Sequence, residues 1–167
     1  KTALRIKNED GSFREISYVK LGRRVISISS VLINLGIKKG DKIVCIAPGT
    51  AESSKSRVWP AKRFAKVADA LVKEFLVKII ISGTKGERAY AEEIAKNMNY
   101  TPIIATGETN VKEFAAMLKH CALTIGNDSG PMHLSAAMGT KTIGLFCPNT
   151  PVRWAPYGPG NDFVYKP

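Results

Sequence analysis

The sequence predicts an α/β fold: a doubly wound, Rossmann-like parallel sheet, preceded by a β-hairpin and a helix. Three observations carry this. The runs "DKIVCIAP", "VKIIIS", "ALTIG" and "KTIGLF" are short and continuously apolar, as strands buried on both faces are. Between them, apolar residues recur at helical spacing. The two kinds of segment alternate as βαβαβαβαβ, the order that places helices on both faces of a parallel sheet.

The elements follow in order. Residues 3–18 alternate on either side of "NEDGS", and Asp10-Gly11 is a hairpin turn signal, so two short antiparallel strands are predicted. Over residues 18–36, Leu21, Val25, Ile28, Leu32 and Leu35 share one helical face, and Gly36 stops that helix. After the strand "DKIVCIAP", Pro60 opens a helix on which Phe64, Val67, Ala68, Leu71 and Phe75 share a face. "VKIIIS" is a strand, Glu87 to Met98 a helix, and "TPIIAT" a weaker strand. Asn110 with Glu113 forms a capping-box pattern for a helix through His120. "ALTIG" is a strand, Pro131 to Met138 a helix ended by Gly139, and "KTIGLF" a strand. The Pro- and Gly-rich tail from Cys147 is expected to be mostly loop, with an edge strand around Val164. Two domains are therefore expected: a hairpin-plus-helix segment, 1–41, and a Rossmann-like domain, 42–167.

The totals bound the function. A chain of 167 residues with 44% hydrophobic and 23% charged content suits a soluble domain with a sizeable core. No apolar run approaches the ~20 residues of a membrane span. Residues 1–20 contain no apolar signal-peptide core, and the first residue is Lys, as in an excised or trimmed piece. The net charge of +11 points to an anionic partner (nucleotide, nucleic acid, acidic glycolipid or membrane surface) or to a plain solvated basic surface. Aromatic residues are 8% and scattered, so the charge supports nucleic-acid binding only weakly and no nucleic-acid partner is expected. Cys45, Cys121 and Cys147 have neither metal-ligand spacing nor an even count and sit in or beside apolar segments. They are expected to be buried, reduced thiols of a cytoplasmic protein. No zinc signature, GxGxxG, Walker A or GxSxG motif occurs, and no metal is expected.

Two strand-to-helix junctions carry the candidate chemistry. In "GNDSGPMHL", a strand ends, the chain turns, and a helix begins near Pro131, which tolerates the first helical turn because its missing N–H would be unpaired there. The N–H groups of Ser129, Gly130 and Met132 are then expected to point outward and, with the helix dipole, to favour an anion. Asp128 would repel a phosphate but could accept hydrogen bonds from a sugar's hydroxyls. Asp128 or Ser129 capping the helix explains the same residues. The second junction, "APGTAESSKSRVWPAKRF", carries Lys55 and Arg57, and Arg grips phosphate bidentately. A solvated basic loop is the simpler alternative there. Together the two junctions could clamp a diphosphate. His133, one turn into the helix, reads more simply as a packed or capping side chain than as a base. "SGTKGE" lies after a strand but lacks the Gly-Lys-Ser/Thr ending of a phosphate loop.

With these residues in view, the chain from 43 to about 165 resembles the C-terminal, donor-binding half of glycosyltransferase family 9, the ADP-heptose:lipopolysaccharide heptosyltransferases. The motifs are "IAPGTAESSKSRVWPAKRFAKVADAL", "IIISGTKGERAYAEEIA", "GNDSGPMHLSAAMGTKTIGLF" and "PVRWAPYG". The resemblance implies a GT-B transferase, with two Rossmann-like domains and the reaction in the cleft between them. It implies heptosyl transfer from ADP-heptose to a lipopolysaccharide-core acceptor with inversion. The nucleotide-sugar is a substrate, so no cofactor is expected. Carried over, Ser129, Gly130 and Met132 would hold the diphosphate through backbone N–H groups, with His133 beside them. Asp128 would contact the donor sugar. Arg57 stands two positions before Trp-Pro, where the family usually has Lys, and would neutralise the departing diphosphate, with Lys55 as its nearby substitute. Thr109 and the 106–111 loop around it, with Gly83, would lie at the nucleoside.

Two departures are noted. No counterpart is found for the family's acceptor-binding N-terminal domain or its catalytic Asp, so this chain alone is expected to bind donor and to transfer poorly or not at all. Its acceptor contact would run through that domain, and its basic surface suits a cytoplasmic location with peripheral contact at the inner membrane. Residues 3–49 are instead similar to the opening of AMP-forming acyl-CoA synthetases, around "LGIKKGDKI", without that family's later motifs. No ligase activity is expected. The alternative reading is a chimeric, non-catalytic scaffold with vestigial ADP binding.

Overall fold

The computed structural model of the chain describes residues 2–7, 13–17, 40–147 and 149–166. The chain divides into two compact units, residues 1–38 and 39–167. In the first, strands β1 (Thr2–Lys7) and β2 (Phe13–Ser17) pair antiparallel, Lys7 opposite Phe13, with a register shift between Thr2 and Leu4. This is the expected hairpin. Its Asp10-Gly11 turn and the helix expected over 18–36 lie outside the described residues.

The second unit holds a six-stranded sheet: β3 (Ile43–Ala47), β4 (Lys78–Ile81), β5 (Ile103–Ile104), β6 (Leu123–Asn127), β7 (Thr142–Phe146) and β8 (Asp162–Tyr165). Every pair is parallel, and the order across the sheet is β5-β4-β3-β6-β7-β8. The chain winds outward from β3 in one direction and then from β6 in the other. The strand order therefore reverses between β3 and β6, which opens a crevice at their carboxyl ends. Ile46 lies opposite both Ile81 and Ile125, so the neighbouring strands end at one level.

Helices α1 (Ala61–Phe75), α2 (Arg88–Lys96), α3 (Val111–Lys119), α4 (Gly130–Ala137) and the single turn α5 (Pro151–Trp154) connect the strands. On one face Val44, Ile46, Ile79, Ile81 and Ile125 pack with Phe64, Ala65 and Ala68 of α1 and with Ala91 and Ile94 of α2. Strand side chains alternate between faces, so Cys45, Thr124 and Thr142 belong to the other. There Thr142 Oγ1 bonds Ser135 Oγ of α4 at 2.9 Å. A Cβ added to Gly144 would fall 2.5 Å from Met132 Sδ, so this glycine lets α4 lie directly on β7. The capping box forms as expected: Asn110 accepts from Lys112 and Glu113 amides, and Glu113 accepts from Asn110. Gly139 ends α4 with φ of 79°, the left-handed conformation glycine adopts without strain.

Several details differ from expectation. The buried stripe of α1 is Ala61, Phe64, Ala65 and Ala68, whereas Phe75, in the last turn, is 58% exposed. Small residues bring this helix onto the sheet along its first half, and its periodic apolar pattern outlasts the contact. "TPIIAT" contributes only two strand residues. The segment expected as a plain loop before Trp-Pro forms a 3-10 helix, Glu52–Arg57. In the tail, Thr150 caps α5 by accepting from the Val152 amide at 3.3 Å. Cys45 and Cys121 are buried as expected, and the Cys121 thiol is held well above its ordinary range by its hydrogen bond to Cys45 and by burial. Cys147, by contrast, is exposed, because β7 has ended one residue earlier. Among the described residues, no helix is long and apolar enough to cross a membrane.

Candidate functional site

The carboxyl ends of β3 and β6 are direct neighbours, with Ala47 opposite Gly126. The next residue, Asn127, is fully buried and ties the two junctions together. Its Nδ2 donates to the Pro48 carbonyl at 2.6 Å, and its Oδ1 accepts from the Trp59 amide at 3.3 Å. It thus holds both ends of the loop that carries Lys55 and Arg57. Trp59 is fixed further by an edge-on contact with Phe64, ring centroids 5.1 Å apart, and its carbonyl accepts a hydrogen bond from the Tyr90 hydroxyl. Burial, reinforced by Glu93, pushes the Tyr90 phenol up to about 12, so it stays a donor.

This frame sets Arg57 against Asp128. Arg57 Nη1 lies 3.2 Å from Asp128 Oδ2 and 3.5 Å from the Asp128 carbonyl. The carboxylate side chain is only 5% exposed. A third loop, after β7, supplies Asn149, whose Nδ2 donates to the same Oδ2 at 2.8 Å. Three strand ends therefore converge on one carboxylate. They border a cleft of about 280 Å³ that Ser129, Gly130, His133 and Trp154 also line.

Capping does not account for Asp128 and Ser129. Ser129 is the N-cap residue of α4, yet no side-chain cap bond forms, and its hydroxyl donates to the Asn127 carbonyl at 3.2 Å. Among the described residues, the amides of Ser129 and Gly130 donate to no protein acceptor. Met132 differs from expectation: its N–H donates to the Ser129 carbonyl at 3.1 Å, and its side chain is fully buried. The helix starts at Gly130, one residue earlier than predicted, so the first turn already uses the Met132 amide. His133 is exposed at the cleft rather than packed in the core.

The remaining predicted residues are not brought into this cleft. Lys55 is exposed on the 3-10 helix and does not line it. Gly83 and Thr109 follow β4 and β5 on the same edge of the sheet, and the Gly83 carbonyl accepts from the Gly107 amide at 2.9 Å. "SGTKGE" is a capping-box turn: Glu87 Oε2 accepts from the Thr84 amide at 2.6 Å and from its hydroxyl at 2.9 Å. Asn127, Asn149 and Trp154 were not singled out in the sequence. A polar residue closing the apolar strand "LTIGN" was the one available signal for Asn127. Trp154 lies in the motif "PVRWAPYG", whereas nothing local marks Asn149. Among the described residues, no cluster of three His, Cys, Asp or Glu side chains is arranged to hold a metal ion.

A parallel sheet in Rossmann order, with a cationic and an amide-lined junction at its reversal point, defines an α/β domain with a ligand cleft at its strand ends. A model of glycosyltransferase family 9 (heptosyltransferase) matches residues 19–165, and the chain belongs to that family. It is 31% identical over 118 residues to the lipopolysaccharide core heptosyltransferase OpsX of Haemophilus influenzae, covering 70% of this chain and 33% of that protein. It is 34% identical over 125 residues to lipopolysaccharide heptosyltransferase 3 of Escherichia coli K12, covering 74% and 35%. The crystal structure of a family 9 glycosyl transferase from Veillonella parvula superposes with a TM-score of 0.76 at 28% identity, over 83% of this chain and 39% of that one. Escherichia coli ADP-heptose lps heptosyltransferase II shares the fold, with a TM-score of 0.75 at 20% identity over 92% and 45%. The chain thus spans about a third of the length of the curated relatives it matches.

Proposed function

We propose that residues 42–167 form the nucleotide-sugar-binding half of a heptosyltransferase, with ADP-heptose as the donor. The observation that carries this is the cleft at the ends of β3, β6 and β7, where the guanidinium of Arg57, the carboxylate of Asp128 and the amides of Ser129 and Gly130, unpaired among the described residues, converge. The two amides and the positive end of α4 would hold one phosphate of the diphosphate. Arg57 would take the other and stabilise the charge that grows on it as the bond to the sugar breaks. Asp128 would accept from sugar hydroxyls, because phosphate and carboxylate repel. His133 and Trp154 would flank the ligand.

In the reaction, an acceptor hydroxyl of the lipopolysaccharide core would attack the anomeric carbon opposite the diphosphate. A new C–O bond forms, the bond to the diphosphate breaks with inversion, and the hydroxyl proton passes to a base. Neutralising the leaving group needs no metal in this scheme. Three of the four relatives cited are named as lipopolysaccharide heptosyltransferases, and those names support this choice of sugar and acceptor. A cytoplasmic site with peripheral contact at the inner membrane fits that acceptor.

Calorimetric titration of ADP and ADP-heptose into the 167-residue chain tests the proposal. Arg57→Ala should weaken both ligands about tenfold or more, the scale of a charged hydrogen bond. Asp128→Ala should spare ADP and weaken ADP-heptose. Absence of binding to a folded wild-type chain would refute the proposal.

A further inference from the structure

We infer that Asn149 is a positioning residue that decides which oxygen of Asp128 meets the donor sugar. This rests on the donor-site reading above. An ionised carboxylate has two oxygens and about four lone-pair sites. Among the described residues, both donors to the Asp128 carboxylate fall on Oδ2: Asn149 Nδ2 at 2.8 Å and Arg57 Nη1 at 3.2 Å. Among the described residues, Oδ1 receives no donor, and Asp128 borders the cleft. Oδ1 is therefore the oxygen left for a ligand hydroxyl.

The two donors are not equivalent. Arg57 is about one-third exposed, and its contacts with Asp128 are the longer ones. In the donor-site reading its guanidinium also serves the diphosphate. Once Arg57 is shared with phosphate, Asn149 is the shortest restraint on the carboxylate. The terminal torsion of Asp is broad and roughly two-fold, so an unrestrained carboxylate could present either oxygen. One firm bond to Oδ2 removes that ambiguity. The neutrality of the amide matters as well. A cation at position 149 would bind Asp128 as an ion pair and compete with sugar hydroxyls for its lone pairs. An amide orients the carboxylate and leaves its charge in place. Asn149 reaches it from the loop after β7, so the third strand end serves sugar recognition together with Asp128 of the second.

The test compares dissociation constants for ADP and ADP-heptose in the wild-type chain, Asn149→Ala, Asn149→Asp and Asp128→Ala, with melting curves alongside. Asn149→Ala should change ADP affinity less than about twofold and weaken ADP-heptose about 5- to 10-fold, the size of one net hydrogen bond. Asn149→Asp keeps the side-chain shape but replaces the donor by an acceptor and adds a charge that repels the diphosphate, so ADP should weaken and ADP-heptose should weaken more than ADP. It remains informative should the alanine variant fail to fold. Equal weakening of both ligands would make Asn149 merely structural and overturn the inference. So would unchanged ADP-heptose binding in both Asn149 variants while Asp128→Ala loses it selectively. If Asp128→Ala also shows no selectivity for the sugar-bearing ligand, the donor-site reading falls, and this inference with it.

Discussion

Asn127→Ala is the substitution that most directly probes how the site is built. The wild-type amide is fully buried and makes two hydrogen bonds, to the Pro48 carbonyl at 2.6 Å and from the Trp59 amide at 3.3 Å. Each is worth about 1 kcal/mol net, and an abandoned partner left buried costs about 1–3 kcal/mol. The loop between them can relax and admit water, so the two losses should not reach their upper limits. A destabilisation of about 3 kcal/mol follows, or roughly 6–12 °C in the melting midpoint for a chain of this size. Urea unfolding followed by tryptophan fluorescence should show a lower midpoint with an unchanged slope, the signature of lost stability without a changed native compactness. Because Arg57 rides on the loop tied at Trp59, ADP affinity should fall as well, although residue 127 contributes no side chain to the cleft. A loss below about 1 kcal/mol would mean the loop is held by other contacts and would refute the reasoning.

Two further outcomes are expected. Tyr90 should give the chain an alkaline weakness. Burial first, then Glu93, pushes its phenol up to about 12, against about 10 for an exposed tyrosine. Between those values the folded chain keeps the proton and the unfolded chain loses it, so stability is complete below pH ~10 and falls as pH rises towards ~12. Tyr90 is only partly buried, and solvent screening reduces the effect to about 1 kcal/mol. Denaturant midpoints measured across this range should slope less in Tyr90→Phe, and equal slopes would remove Tyr90 as the cause. Separately, Trp154 borders the cleft while Trp59 packs on Phe64, and the chain has 2 tryptophans. Ligand binding should therefore change the fluorescence of wild type but leave Trp154→Phe nearly silent. A full signal in the variant would place the ligand elsewhere.

Much of this architecture is legible in the residues. Strands buried on both faces announce themselves as unbroken apolar runs, and "KIVCIA" and "ALTIG" lie where the sheet has its centre. The Asn110–Glu113 capping box and the Gly139 stop are local chemistry, readable at a spacing of a few residues. Adjacency of the two junctions also follows from βα alternation, since β3 and β6 begin the two halves of the winding. What escapes is either too short or too distant. The four residues of α5 and the six of the 3-10 helix offer no periodicity to detect. The Asn149–Asp128 bond spans 21 residues and the Asn127–Pro48 bond 79, so both exist only through the tertiary fold. Met132 shows the remaining kind of error: moving a helix start by one residue, from Pro131 to Gly130, turns an amide offered to a ligand into an ordinary first-turn donor.

The central claim is that the junctions after β3 and β6 form one diphosphate site. The most direct measurement is the perturbation of backbone amide resonances of the 15N-labelled chain on adding ADP. The Ser129 and Gly130 amides should shift most, together with the Arg57 side-chain N–H, while the Met132 amide, already bonded to Ser129, moves less. Saturable shifts confined to other loops, or none at all in a folded chain, would contradict the account.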